Sequence, residues 1–494
     1  MSLKRNENRL FDFSQITSAT VFVSLFIITF LIRFPFFFRD YIDRDESTFI
    51  LLGQSWADGF LPYTQLWDLK PPLTFAFFAI LISLFGKSFI AIRLAGVVLV
   101  TVTAFFTYKI ASKLIPKKAS FFAAIGCLVL LSLFGSLQGV MSEHLCMAFF
   151  VPALYLLSGH KKWHLFLFAG ILMGITLMVK LNMAFPIVFI GLYVGADVFR
   201  KDSATKIMDI FLFGIGILLI IAVTIWPYYS TGQFQVWWDS VILAPLEYTE
   251  ARRYPILKLA PFFVLVSAFL AYSWKRKILD FRNPVVQLLI VSIIGVLFSF
   301  LKGGRVNGHY LIQLHPMLLI LVGVVVLRTL QIYHFKMTKY AALILLLIPV
   351  ESYLEYINVL KNKMTYDTFY NGEGFAVPRY IEAHQLETKN ILFFEYHIGY
   401  WNLSTLPPSI AATHPSNICR DELFAFYKNP RKNSLEEIKY LMEQLQPKTI
   451  IIRKGKRIFD KKEIEENEYI DDYLAKKYTL LATVENAEIL QRLE

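Results

Sequence analysis

At 494 residues and 56% apolar content, the chain exceeds one ordinary soluble domain, and its composition points away from a water-soluble enzyme. The formal charge of +12 does not indicate nucleic acid, because Lys and Arg stand in short clusters between apolar runs and form no continuous basic face. Cys127 and Cys146 lie within apolar runs and Cys419 stands alone in the tail, so no disulfide framework is implied.

Apolar runs recur from Ile16 to Leu345. Crossing a bilayer as a helix takes about 20 such residues, because every backbone polar group in lipid must be satisfied internally. Lys4, Arg5 and Arg9 precede the first run, and no small-residue cleavage site follows FPFFFRD, so this run reads as an uncleaved first span. Placing every basic cluster on the cytoplasmic side requires that the short apolar piece 71–85 lie at the outer face or dip into it. Spans are then expected at 16–38, 88–112, 119–138, 144–159, 163–180, 182–199, 207–226, 259–274, 284–301, 310–327 and 338–354. That makes about eleven crossings, with the amino end cytoplasmic and the carboxyl tail outside. Stretches 39–85, 138–143, 227–258 and 302–309 share the outer face, with the turn at 180–182. After residue 354 charged residues become frequent and apolar runs shorten to strand length. NILFFE (390–395) and TIIIR (449–453) read as strands, 434–445 as an amphipathic helix, and 476–484 as a further strand. The expected division is a membrane domain, 1–354, and a small soluble α/β domain, 355–494.

The first outer stretch is the most chemically loaded. Asp43, Asp45, Glu46, Asp58 and Asp68 crowd into it, with Trp56 and Trp67 available to desolvate a carboxylate and raise its basicity. An isolated pair there would read as solvated headgroup-level charge; five acids argue for a site. Asp43 and Asp45 also have the spacing of a metal-binding pair, a lesser alternative because Arg44 competes. Lys70, held by Pro71 and Pro72, suits a phosphate, and its plain reading is a snorkelling lysine. Glu143, His144 and Lys180 are ionisable groups at membrane depth, where function and helix-end anchoring compete. Arg305, His309 and Tyr310 follow a glycine pair that lets backbone approach an anion. Arg252 and Arg253 stand among interface aromatics. Together these residues suit one outward cavity holding a phosphate beside a base.

The motifs RDESTF, GFLPY, WDLKPPL, MSEH, GITLMVKLN and HYLIQLHP, in this order, resemble the C-type (GT-C) membrane glycosyltransferases of the protein O-mannosyltransferase and aminoarabinose-transferase kind, over roughly the first 330 residues. The resemblance implies a multi-pass α-helical fold with outer juxtamembrane helices and a polyprenyl-phosphate-linked sugar donor. It also implies that Asp45 is the catalytic carboxylate, that Glu46 completes the pair, and that Lys70 contacts the donor phosphate. Glu143 takes the place of the second-loop acid, whereas Arg305 and His309 follow from position more than motif. Asn182 departs from the Gly-Pro that relatives often carry.

The expected activity is inverting transfer to an acceptor hydroxyl on a glycan, lipid or protein, at the outer face of a bacterial inner membrane. No cofactor is required, with a divalent cation as the alternative, and no nucleic-acid partner is expected. A transporter or lipid flippase is the competing class, although no paired halves are visible. A polysaccharide ligase using a pyrophosphate-linked glycan would shift weight from Asp45 to the arginines and His309.

Overall fold

The structure is a computed structural model that describes residues 16–493 except 41–42, 160–161, 201–203, 252–254, 305–306 and 333–347. Helix α1 (Ser18–Arg33) starts behind Thr17, whose hydroxyl accepts the Thr20 amide. Then follow α2 (Arg44–Ala57), α3 (Pro72–Phe85), α4 (Phe89–Ala111), α5 (Lys117–Leu130), α6 (Ser142–Leu157) and α7 (Trp163–Val179). The next are α8 (Ala184–Val198), α9 (Ile207–Ser230), α10 (Phe234–Trp238), α11 (Ala244–Ala251), α12 (Ala260–Lys275), α13 (Pro284–Gly303), α14 (His315–Ile332) and α15 (Val350–Tyr366). Among the described residues six helical stretches are long and apolar enough to cross a membrane: Ser18–Phe38, Phe89–Ala111, Leu181–Val198, Ile207–Ser230, Pro284–Gly303 and His315–Ile332. Helices α3, α6, α7 and α12 are shorter and also apolar. The chain is a multi-pass α-helical membrane protein.

Helix α3 has 14 residues. At about 1.5 Å per residue it reaches roughly 21 Å, short of the roughly 30 Å hydrocarbon core. Pro72 at its first turn tolerates the missing N–H, and Thr74 donates to the Val179 carbonyl at 2.8 Å, tying the start of α3 to the end of α7. Helices α7 and α9 meet through small residues. A Cβ at Gly170 would stand 2.1 Å from the Phe213 carbonyl oxygen, and one at Gly216 would stand 2.5 Å from that of Leu167. Close backbone approach of this kind is how helices associate where lipid is as apolar as leucine.

The expected span at 338–354 falls largely on residues 333–347, outside the described residues. Its remainder opens α15, which runs through the expected boundary at 354 and is anchored by Ser352 donating to the Ile32 carbonyl at 2.8 Å. Beyond α15 the tail forms a four-stranded sheet, β1 (Leu392–Phe393), β2 (Thr449–Arg453), β3 (Tyr478–Val484) and β4 (Ala487–Arg492), in the order β1-β2-β4-β3. β1 pairs in parallel with β2, Leu392 opposite Ile450; β4 pairs antiparallel with β2 and β3. The expected strand at 390–395 is shorter than its apolar run, and the hairpin partner β4 was not anticipated. The expected helix at 434–445 is helical throughout, loosening after Lys439 into a wider turn.

Candidate active site

Described residues of the stretches expected to share one face meet at one end of the bundle. Asp43 caps α2, accepting the Asp45 amide at 2.8 Å and the Ser136 hydroxyl. Asp45 and Glu46 follow in the first turn, where negative charge suits the helix dipole. Successive helix residues do not face the same way. Asp45 turns toward Lys70, whose Nζ lies 3.2 Å from Oδ2. Glu46 is buried, 1% exposed, paired with the equally buried Arg93 of α4 and accepting the Val140 amide at 2.7 Å. It clamps α2 to α4 and to the loop before α6, and among the described residues its partners, Arg93 and Val140, differ from the Lys70 that Asp45 meets.

The Lys70 loop is built to fix the lysine's backbone, leaving its ammonium to choose its partner. The Tyr63 hydroxyl donates to the Lys70 carbonyl at 2.5 Å, and Asp68 accepts the Lys70 amide at 3.3 Å. Tyr63 has φ 70 and sits among Trp67, Phe75 and Tyr228. Burial alone would raise the Asp45 carboxyl, but the Lys70 ammonium outweighs it and holds Asp45 well below the usual carboxylate range. Burial and the Asp45 charge push Asp43 up to about 6. Burial would lower Lys70, yet Asp45 and Asp68 keep it raised and charged. Asp43 caps the helix and accepts from Ser136, while Asp45 faces Lys70. Among the described residues no group of three His, Cys, Asp or Glu is arranged to hold a metal.

A second cluster lies beside the first. Lys180, at the end of α7, is 2.5 Å from Glu143 Oε1 and rests over the Tyr310 ring at 4.3 Å. His309 Nε2 stands 3.7 Å from the same glutamate oxygen. His144 is elsewhere occupied: its Nδ1 accepts the Met141 amide at 3.0 Å and its Nε2 donates to the Leu131 carbonyl at 2.7 Å, so it serves as a helix-end anchor. Between the two clusters opens a cavity of about 470 Å³, walled by Leu69, Phe185, Ile242 and Leu246 and carrying Lys70, Lys180, Lys302 and Tyr310. Arg252, Arg253 and Arg305 lie outside the described residues.

Sequence reading missed the tail's part. Arg44 forms a forked ion pair with Glu395. Thr413 donates to the Trp67 carbonyl at 2.7 Å, and Thr48 donates to the Thr413 carbonyl at 3.1 Å. His414 is thereby brought to 3.6 Å from Asp45 Oδ1. Nothing in the THPSN run signals this. Arg93, by contrast, was a charge inside an apolar run and could have been flagged as needing a buried partner.

The apolar helices and the small carboxyl-terminal sheet belong to a multi-pass membrane chain with the C-type (GT-C) glycosyltransferase fold, as the structural likeness below shows. Residues 69–226 match the family model of the dolichyl-phosphate-mannose-protein mannosyltransferases. The chain is similar in fold to the crystal structure of ArnT from Cupriavidus metallidurans bound to undecaprenyl phosphate, with TM-score 0.61 and 12% identity over 96% of this chain and 98% of that one. It is also similar to the apo oligosaccharyltransferase of Archaeoglobus fulgidus, with TM-score 0.51 and 12% identity over 89% of this chain and 70% of that one. No curated protein matches the chain.

Proposed function

We propose that the chain is an inverting glycosyltransferase that moves a sugar from a polyprenyl monophosphate to an acceptor hydroxyl at the outer face of a bacterial inner membrane. The observation that carries this reading is the Asp45–Lys70 pair at the edge of the apolar cavity. A half-buried carboxylate and a half-buried ammonium stand side by side where a lipid chain has apolar walls to lie against. Undecaprenyl phosphate bound to the ArnT of similar fold supports a lipid phosphate as the ligand class.

In this reading the phosphate takes Lys70, aided by Lys180 and Lys302 on the cavity wall, and the lipid follows the apolar wall. The acceptor approaches from a small polar cleft of about 40 Å³ between α2 and the tail, bordered by Arg44, Ser416 and Arg420. Asp45 takes the hydroxyl proton as the oxygen attacks the anomeric carbon from the face opposite the phosphate. The new carbon–oxygen bond forms as the anomeric carbon–phosphate oxygen bond breaks, and its electron pair leaves with the lipid phosphate. Fixed cations at that oxygen lower the barrier directly, and a phosphate monoester leaves without a strong general acid. Glu143 keeps Lys180 in place and offsets its charge. A divalent cation is not needed for this sequence of events.

Lys70→Ala should weaken binding of undecaprenyl phosphate to the purified full chain by about tenfold or more, the scale of one lost charge-assisted contact. Unchanged affinity would remove Lys70 from the phosphate site.

A further inference from the structure

The carboxyl-terminal domain does more than cover the site. We infer that His414 is a positioning residue for Asp45, so that the tail completes the catalytic centre. The inference rests on the reading of Asp45 as the base.

The ring's tautomer is set by its surroundings. His414 begins the short helix Pro415–Ile418, and its Nδ1 accepts the Ser416 amide at 3.0 Å. A neutral imidazole that accepts at Nδ1 carries its proton on Nε2. That nitrogen is the one facing Asp45, 3.6 Å from Oδ1, while Lys70 stands 3.2 Å from Oδ2. Burial holds the imidazole well below its ordinary range, against the pull of Asp45, so it meets the carboxylate as a neutral donor. A separation of 3.6 Å is longer than a hydrogen bond, and catalytic contacts commonly tighten only when substrate is bound.

The backbone carrying the ring is fixed to both parts of the site. Thr413 joins Thr48 of α2 on one side and the Trp67 carbonyl on the other, and Asn417 donates to that same carbonyl at 3.3 Å. His397 packs edge-on against His414 at 5.8 Å. A ring held this firmly is placed to orient another group.

Asp45 loses its strongest partner when the lipid phosphate draws Lys70 away. His414 then retains Oδ1 through Nε2–H and leaves Oδ2, the oxygen that faced Lys70, as the atom that takes the acceptor proton. Exchanging a charged partner for a neutral one raises the carboxylate's basicity once donor is bound. Donor binding would thereby switch the base on.

The test compares His414→Ala with His414→Gln in the purified full chain, the glutamine amide supplying an N–H near the place of Nε2–H. Undecaprenyl phosphate binding is measured beside turnover of a polyprenyl-phosphate hexose that the wild-type protein consumes. A misplaced catalytic group costs up to about a hundredfold, so the alanine variant should lose about ten- to a hundredfold in kcat with lipid-phosphate affinity within about twofold of wild type, and glutamine should recover several-fold of the loss. The inference is overturned by an alanine variant that turns over at about the wild-type rate, by glutamine as slow as alanine, or by affinity falling as steeply as kcat. Asp45→Asn separates the two levels. If it is inactive while His414→Ala is active, only the role of His414 fails; if it is active, the base reading itself fails.

Discussion

Removing the Glu46 carboxylate would strand the Arg93 guanidinium in the interior. Arg93 is 1% exposed, Glu46 is its counter-charge, and the buried Arg33 lies close enough to repel it. The Val140 amide would lose its acceptor as well. Breaking a buried pair by deleting one member costs about 3–5 kcal/mol, because the surviving charge remains desolvated. At about 1 °C per kcal/mol for a chain of this length, Glu46→Ala should lower the melting midpoint by roughly 3–5 °C. The assay is thermal unfolding of the purified full chain in detergent at one fixed scan rate, since a membrane protein of this size need not unfold reversibly. The double variant Glu46→Leu with Arg93→Met should recover much of the loss, because a well-packed apolar pair can replace a buried ion pair. If Glu46→Ala melts with the wild type yet has no activity, the clamp is refuted and Glu46 returns as a reacting carboxylate.

Turnover should rise with pH through an inflection near 6 that belongs to Asp43, whose carboxyl is raised to about 6 by burial and by Asp45. With a raised folded value, Asp43 stabilises the fold while protonated, and this contribution is lost as pH rises through about 6. Its ionised form is the better cap and makes Asp45 more basic, so activity moves the opposite way. Asp43→Asn should flatten the inflection in a pH–rate profile; the same inflection in that variant would contradict the assignment. Gly170→Val should destabilise the chain by about 1–3 kcal/mol or more, read as a lower melting midpoint, because a Cβ there meets the Phe213 carbonyl. A wild-type midpoint would show that α7 and α9 separate freely.

Much of the fold was legible because its physics is local. Apolar run length marked six of the about eleven expected spans as long enough to cross among the described residues, whereas α5, α6, α7 and α12, also expected to cross, have 14–17 residues, close to the 14 of α3. The gathering of Asp45, Lys70, Glu143, Lys180 and His309 at one end of the bundle follows from placing every basic cluster on the cytoplasmic side. What the sequence hid was direction. DRDE in one dimension shows neighbouring acids, whereas a helix turns Asp45 into the site and Glu46 onto Arg93, 47 residues away. Asp58 marks the end of α2, where it accepts from Gln54 at 2.9 Å, and Asp68 fixes a loop amide. His144 carried the same ambiguity, and both its ring nitrogens meet backbone groups, as an anchor's would. His414 was beyond reach, since only the docking of the tail through Arg44, Thr48 and Trp67 brings it to the carboxylate.

Asp45 takes the acceptor proton in the proposed reaction. That step is tested most directly by turnover of Asp45→Asn, purified as the full chain, with a polyprenyl-phosphate sugar that the wild type consumes. The asparagine keeps the side chain's shape and removes its basicity, so the account predicts a loss of about a hundredfold or more in kcat. Turnover within a few-fold of wild type would contradict it.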